Sequence, residues 1–245
     1  MSSIQAVVFD LDGTLVQTES LKADSYHAVL AGLLPDLSRE DVHAAYAEVV
    51  GRSGEEVARF LVARFALPDG FAEALGPQPG EDPWQTFYRV RKTRYTALLA
   101  QEHAIRKAAC PFSREVLEWS HNVGLSVGLA TMSHRPQVQR VLDILDMTAL
   151  FDRVLTRDDV THGKPDPAIY HLAFEQLGVP AAQTLILEDS PSGARAAAAS
   201  GAQVLVVVNS ITQQAVHRAG LEPDVLAVVR SDPALLGRVR EIVGR

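Results

Sequence analysis

The sequence has little cysteine, few aromatic residues and no excess of positive charge. Its one cysteine, Cys110, excludes an internal disulfide and is typical of a protein that folds in a reducing compartment. The formal net charge of -7 does not favour a nucleic-acid or membrane-surface partner. No apolar run is long enough to span a bilayer, and the first residues leave no room for a signal peptide. We expect a cytoplasmic protein that binds neither nucleic acid nor membrane, and the oligomeric state stays open.

The first part of the chain combines one strand pattern with a long helical stretch. The run Val7–Phe9 is apolar and leads into an Asp-Leu-Asp-Gly-Thr segment, as in a buried strand that ends at a turn. No further strand pattern occurs before residue 124, and helical spacing of apolar residues dominates instead. That interval is too long for an ordinary connection, so we predict an inserted all-helical domain. The predicted domains are a core over 1–16 and 106–245 and an insertion over 17–105.

The second part of the chain alternates between strand and helix patterns. Short β-rich runs are followed by amphipathic stretches that end at glycines such as Gly178 and Gly201, and Ser113 is the expected N-cap of the first helix. This alternation predicts an α/β fold with a doubly wound, parallel, Rossmann-like sheet. The strands are predicted over 125–131, 153–156, 184–188 and 203–208.

Polar residues that an apolar core would not select stand at the ends of these predicted strands. Because the carboxyl ends of parallel strands lie at one edge of a sheet, we expect these side chains to line one crevice. A lysine in a Gly-Lys-Pro-Asp-Pro loop before the fourth strand joins them. The set is Asp10, Asp12, Thr131, Ser133, Lys164, Glu188 and Asp189.

The residue types in this set are suited to phosphate chemistry with a metal ion. Carboxylates offer the hard oxygen ligands that Mg²⁺ prefers, and there is no matching His or Cys cluster for zinc. A carboxylate can also act as a nucleophile and form an aspartyl-phosphate intermediate. Lys164 and Mg²⁺ would neutralise the charges, while Thr131 would donate a hydrogen bond to a phosphoryl oxygen. Asp12 would protonate the leaving oxygen and then activate water.

Four motifs occur together, in the order and with the spacing of a known family. They are Asp10-Leu11-Asp12-Gly13-Thr14-Leu15, Thr131 at a strand end, Lys164 in its loop, and Glu188-Asp189-Ser190 followed by Gly193. The sequence thereby resembles the haloacid dehalogenase superfamily, in the branch of β-phosphoglucomutases and phosphoglycolate phosphatases with a helical cap after the first strand.

The resemblance implies a role for each residue of the motifs. Asp10 would be the nucleophile and a Mg²⁺ ligand, and Asp12 the general acid/base and a ligand through its backbone carbonyl. Thr131 and Lys164 would bind the phosphoryl group. Asp189, together with Glu188, would complete the metal site.

Residues outside the motifs give information about the substrate and its binding. Mutases of this branch usually carry a histidine near the position of Lys22, and the segment Gly51–Ser53 resembles the substrate-specificity loop of the cap. Arg52 would hold a substrate carboxylate or a second phosphate. Members of the branch often have Asn where this chain has Met132, which removes a polar substrate contact or moves it to Ser133 or His134. The basic residues that follow are expected to form a solvated helix face: Arg89, Arg91, Lys92 and Arg94.

The pattern as a whole predicts an Mg²⁺-dependent phosphatase. Its substrate would be a small phosphorylated metabolite of the sugar phosphate or phosphoglycolate type, and the reaction would pass through an aspartyl phosphate. Two alternatives stay open from the sequence. One is a phosphosugar mutase that resembles β-phosphoglucomutase, and the other is a non-enzymatic binding module on the same scaffold.

Overall fold

The structure is a computed structural model that describes residues 3–50, 52–209, 212–220 and 226–244. The chain divides into two compact units. A core unit comprises Met1–Gln17 and Ile105–Arg245, and a helical unit comprises Thr18–Ala104. None of the described helices is long and apolar enough to cross a bilayer.

The core unit is built around a six-stranded parallel sheet with the strand order β3-β2-β1-β4-β5-β6. The chain first moves outward from β1 to β3 and then resumes on the other side of β1, so the sheet is doubly wound. The topological switch point lies between β1 and β4, where ligands bind in open α/β sheets. The strands are β1 (Ala6–Phe9), β2 (Ser126–Ala130), β3 (Arg153–Leu155), β4 (Thr184–Glu188), β5 (Gln203–Val208) and β6 (Leu226–Arg230).

The register of the three central strands brings their carboxyl ends to one level. Phe9, the last residue of β1, pairs with Leu129 of β2 and with Leu187 of β4. The residues after these pairs therefore emerge side by side at the same sheet edge. This is how an apolar run such as β1, buried along its whole length, delivers polar side chains to one place.

Helices of the core unit pack on the sheet through small and branched residues. One core cluster joins Val8 and Ile186 of the sheet to Tyr170 and Ala194 of the helices. Alanine-rich α10 lies close to β4 and β5 because its side chains are small. The helices are α7 (Pro111–Asn122), α8 (Arg135–Ile144), α9 (Ala168–Leu177), α10 (Pro191–Ala199), α11 (Gln213–Arg218) and α12 (Leu235–Val243), with α6 (Glu102–Ala108) at the boundary of the units.

The core differs from the sequence prediction at β6 and at the start of α7, among other element bounds. The strand β6 was not predicted, and Ser113 is not an N-cap. Helix α7 begins two residues earlier, at Pro111, with Cys110 in the N-cap position. Proline is favoured at the first helical position because its φ is fixed in the helical range and it has no N–H to satisfy. Ser113 lies inside the helix, and its buried hydroxyl has no hydrogen-bond partner among the described residues.

The helical unit has an aromatic core. Tyr26 stacks on Phe87 with ring centroids 5.8 Å apart, and Phe71 meets Phe87 edge-on at 6.4 Å. Capping side chains start two of its helices, Ser38 before α2 and Ser53, in a capping box with Glu56, before α3. The helices are α1 (Thr18–Leu33), α2 (Arg39–Ala47), α3 (Gly54–Arg64), α4 (Phe71–Ala74) and α5 (Pro83–Leu99).

The prediction that the basic residues of α5 form a solvated face is wrong for Arg91. Lys92 and Arg94 are exposed, but the Arg91 side chain is buried. Its guanidinium carbon lies 4.6 Å from the ring centroid of Tyr26 and 4.8 Å from that of Tyr95. Two aromatic faces thus accommodate the cation where solvent was expected.

Candidate active site

Lys164 lies at the centre of the polar group at the sheet edge. Its Nζ donates to Asp10 Oδ1 at 2.7 Å, to Glu188 Oε1 at 2.5 Å and to the carbonyl oxygen of Ala130 at 2.9 Å. The lysine comes from the loop before α9, and its acceptors follow or end β1, β2 and β4. One buried ammonium group therefore joins the three central strand ends.

Asp12 lies at the same sheet edge and is held by two hydroxyl groups. Its Oδ2 accepts hydrogen bonds from Ser133 Oγ at 2.7 Å and from Thr131 Oγ1 at 3.2 Å. Thr131 Oγ1 in turn accepts from the backbone N–H of Ser133 at 3.1 Å. These two hydroxyls, both from the segment after β2, fix the orientation of the Asp12 carboxyl group.

Glu188 is surrounded by hydrogen-bond donors. Tyr170, which is fully buried, donates its hydroxyl to Glu188 Oε1 at 2.6 Å. Burial, reinforced by the negative charge of Glu188, raises the pKa of Tyr170 well above its ordinary value, so the phenol keeps its proton and acts as a donor. The sequence interpretation did not identify Tyr170. Its position two residues into α9, six after Lys164, carried no signal that distinguishes it from a core aromatic residue.

Asp10 experiences strong opposing electrostatic effects. Its pKa is raised to about 8: burial raises it most, the charge of Lys164 lowers it, and the charges of Glu188 and Asp12 raise it. Burial is the main cause, and a surplus of negative charge from the neighbouring carboxylates adds to it. A bound cation would relieve this surplus.

Three carboxylates of the group have the spacing of a metal site. Asp10, Glu188 and Asp189 each offer an oxygen, and these oxygens lie within 4.8 Å of one another. All donors are hard oxygens, as Mg²⁺ requires. Two glycines leave room for these carboxylates: a Cβ on Gly13 would lie 1.8 Å from Asp189 Oδ2, and one on Gly193 would lie 1.9 Å from Glu188 Oε1. Spacing, charge and donor type therefore fit a divalent cation.

The structure thus brings seven predicted residues of the core unit to one sheet edge and leaves two in the helical unit. Lys22 forms an ion pair with Glu19, whose oxygen lies 2.5 Å from its Nζ. Arg52 is exposed, and its neighbour Gly51 in the predicted specificity loop lies outside the described residues. Both remain candidates for substrate contact.

Comparisons with known proteins agree with this geometry. A phosphorylated carbohydrates phosphatase from Thermotoga maritima is 29% identical over 233 residues, which cover 95% of this chain and 97% of that protein. A structure described as a candidate β-phosphoglucomutase from Thermotoga maritima is similar with a TM-score of 0.70 at 26% identity, over 97% of this chain and 99% of that one. A mutant of CbbY from Rhodobacter sphaeroides, in complex with xylulose-1,5-bisphosphate, has a TM-score of 0.59 at 28% identity, over 86% and 89% of the two chains.

The sequence model of one family covers most of the chain. The family of haloacid dehalogenase-like hydrolases matches residues 4–201, a range that contains every core residue of the site. The resemblance that the four motifs indicated is thereby confirmed. The chain belongs to the haloacid dehalogenase-like hydrolase family and is an enzyme.

Proposed function

We propose that this hydrolase is an Mg²⁺-dependent phosphatase that acts on small phosphorylated carbohydrates or on substrates of the phosphoglycolate type. The observation that carries the proposal is the buried Asp10 carboxylate, which contacts Lys164 and lies among further carboxylates at the switch point of the sheet. A carboxylate held by a cation beside a metal site is equipped to attack phosphorus. The name of the Thermotoga relative agrees with this activity.

The proposed reaction has two steps that use the two aspartates in turn. In the first step, an Asp10 oxygen forms a bond to phosphorus and the ester P–O bond breaks, while Asp12 gives its proton to the leaving oxygen. In the second step, Asp12 takes a proton from water as the water oxygen attacks phosphorus, and the bond to Asp10 breaks. Lys164 would hold a phosphoryl oxygen, and Thr131 would contribute a hydrogen bond.

The metal ion would be held by side chains of the core unit. Asp10 and Asp189 are the proposed ligands, and the resemblance adds the backbone carbonyl of Asp12 and the carboxylate of Glu188. When bound, Mg²⁺ would neutralise charge on the phosphoryl group and on the nucleophile. The chain's own residues supply the nucleophile, the proton transfer and the ammonium group.

The substrate class follows from the relatives rather than from the core. CbbY was crystallised with a sugar bisphosphate, and the Thermotoga phosphatase is named for phosphorylated carbohydrates. We propose Lys22 and Arg52 of the helical unit as residues that contact the part of the substrate beyond the reacting phosphate. Lys22→Met and Arg52→Met should then raise KM for sugar phosphates more than KM for p-nitrophenyl phosphate.

The proposal is tested by measuring phosphate release from a panel of sugar phosphates, sugar bisphosphates and phosphoglycolate. We expect release with Mg²⁺, loss of release in EDTA, and restoration when Mg²⁺ is returned in excess. A mock preparation from cells that do not express the chain serves as the control for contaminating phosphatases, and Asp10→Asn tests the nucleophile. Release that persists in EDTA or in Asp10→Asn would refute the metal or the nucleophile assignment.

A phosphosugar mutase is the second candidate, and the likeness to the structure described as a β-phosphoglucomutase favours it. A mutase would return the phosphoryl group from Asp10 to another hydroxyl of the sugar. Mutases of the branch usually carry a histidine near the position of Lys22, and its absence there weighs against this reaction. Conversion of one phosphosugar isomer into another in the presence of a bisphosphate, without net phosphate release, would establish the mutase.

A further inference from the structure

The hydrogen-bonding capacity of Glu188 is fully used within the described part of the chain. Its Oε1 accepts from Lys164 Nζ at 2.5 Å and from the Tyr170 hydroxyl at 2.6 Å. Its Oε2 faces the backbone N–H groups of Asp189 and Ser190, at 3.1 and 3.4 Å, and the Ser190 hydroxyl at 3.3 Å. A carboxylate has about four lone-pair positions, so five donors leave none for a metal ion.

The Glu188 carboxylate is also closely packed by its surroundings. Its carboxylate lies against the start of α10, where a Cβ on Gly193 would come within 1.9 to 2.1 Å of three of its atoms. The ring of Tyr170 is part of the buried core cluster, and its centroid lies 5.0 Å from Lys164 Nζ. Lys164 gives the Asp10 carboxylate one hydrogen bond, at 2.7 Å.

We propose that Tyr170 is a positioning residue, which clamps Glu188 as the counter-ion of Lys164 and keeps Glu188 out of the inner coordination sphere of the metal. The proposal rests on the proposed function in one respect, because it assumes that Mg²⁺ and phosphate bind to the core unit. It departs from the ligand set that the family resemblance implies, because Glu188 would have to give up a donor to bind the ion. Lys164, held between Glu188 and Asp10, is then the group whose position depends on Tyr170.

The Tyr170→Phe variant tests this division, because it removes one hydroxyl without changing any charge. Mg²⁺ binding to the metal-free full chain is measured by calorimetry, and binding of inorganic phosphate is measured at saturating Mg²⁺. We expect the Mg²⁺ dissociation constant to stay within about twofold, and phosphate to bind about tenfold more weakly because Lys164 loses its fixed position. Loss of a hydrogen-bond partner of an inner-sphere ligand typically costs about 10 to 100-fold in metal affinity.

Two outcomes would overturn the proposal. A loss of Mg²⁺ affinity of about tenfold or more would make Glu188 an inner-sphere ligand held by Tyr170. Unchanged affinities for both ligands would show that Tyr170 positions nothing. Tyr88→Phe, a tyrosine of the helical unit, is the matched control and should change neither affinity.

A crystal structure of the wild-type chain with Mg²⁺ provides a test that does not depend on any variant. We expect both Glu188 oxygens more than about 3 Å from the ion, whereas an inner-sphere oxygen would lie at about 2.1 Å. A Glu188 oxygen at the shorter distance would refute the proposal. Failure of the proposed function is distinguishable, since it would show as absent phosphate release while these binding measurements still stand.

Discussion

The chemistry depends on how one lysine is shared among carboxylates. Lys164 contacts Asp10 and Glu188, whereas Asp12 accepts hydrogen bonds from the hydroxyl groups of Thr131 and Ser133. The two aspartates of one short segment therefore have different environments. A carboxylate beside an ammonium group suits a nucleophile, and one that hydroxyls orient suits proton transfer.

Replacement of Asp12 tests this separation of roles. Asp12→Asn should lower kcat by about 10² to 10⁴-fold for an alkyl phosphate, because the leaving alkoxide is no longer protonated. For p-nitrophenyl phosphate, whose leaving group needs little protonation, formation of the aspartyl phosphate should be much less affected. Burst kinetics with both substrates measure the difference. Equal slowing of the first step for both substrates would contradict the assignment.

Cys110 offers a separate test of burial in the core unit. Burial raises the pKa of its thiol to about 12, against a smaller opposing effect of the hydrogen bond from Gln17, and the charge of Asp189 adds to the increase. The folded chain should therefore react very slowly with a thiol reagent at pH 8, and it should react with one equivalent after denaturation. Rapid stoichiometric modification of the folded protein would contradict this environment.

Most of the site could be predicted from sequence because its residues follow apolar runs directly. Asp10, Thr131 and Glu188 stand at or just beyond strand ends, and parallel pairing then determines that they meet. Tyr170 and Arg91 could not be predicted in this way. Each contributes through a partner that is distant in sequence, so neither helical spacing nor composition separates them from ordinary helix residues.

At the scale of elements, the strands inside the sheet could be predicted from their apolar runs, whereas the edge strand β6 was missed. The strands β4 and β5 have the predicted bounds, β2 is shorter than predicted by one residue at each end, and β3 is shorter by one residue at its carboxyl end. The missed strand β6 pairs only with β5 at the edge of the sheet. A short edge strand is specified by that tertiary pairing more than by its own five residues.

Two glycines in helices allow a test of element packing at the site. Gly193 of α10 and Gly237 of α12 both lie within helices, but an added Cβ meets the Glu188 carboxylate at the first and nothing within 4 Å at the second. Gly193→Ala should destabilise the chain by about 1 to 3 kcal/mol through overpacking and should weaken phosphate binding. Urea denaturation and phosphate titration measure both effects.

Gly237→Ala is the matched control for this substitution. It should stabilise the chain by about 0.5 to 1 kcal/mol, because alanine loses less conformational entropy in a helix, and it should leave phosphate binding unchanged. Similar effects of the two substitutions would show that the contact between Gly193 and Glu188 has no energetic importance.

At the scale of the whole molecule, metal binding should increase the stability of the folded chain. The carboxylates at the sheet edge outnumber the single Lys164, so a divalent cation that binds the folded state should raise the free energy of unfolding. Mg²⁺ at a hundred times its dissociation constant should contribute about 2.7 kcal/mol. Thermal denaturation with and without Mg²⁺ measures this, and Asp189→Asn should lose the increase. An equal increase in that variant would place the ion elsewhere.

The raised pKa of Asp10 predicts a pH dependence of the metal-free chain. With a pKa of about 8 in the folded state and an ordinary value of 3.8, folded Asp10 binds a proton that the unfolded chain releases between these values. The contribution of this group to stability therefore falls as pH rises through that window. Denaturation in EDTA at pH 6 and pH 8.5 should show a larger loss in wild type than in Asp10→Asn. The same loss in both would contradict the assigned environment.

The most direct test of the account is whether a phosphoryl group passes through Asp10. Wild type and Asp12→Asn are mixed with p-nitrophenyl phosphate and Mg²⁺, quenched in acid within one turnover, and digested for mass spectrometry. We predict a phosphoryl group on the Asp10 carboxylate, with a larger fraction in Asp12→Asn because water is activated more slowly, and none in Asp10→Asn. Product formation with no phosphorylated Asp10, or with the phosphoryl group on another residue, would contradict the account.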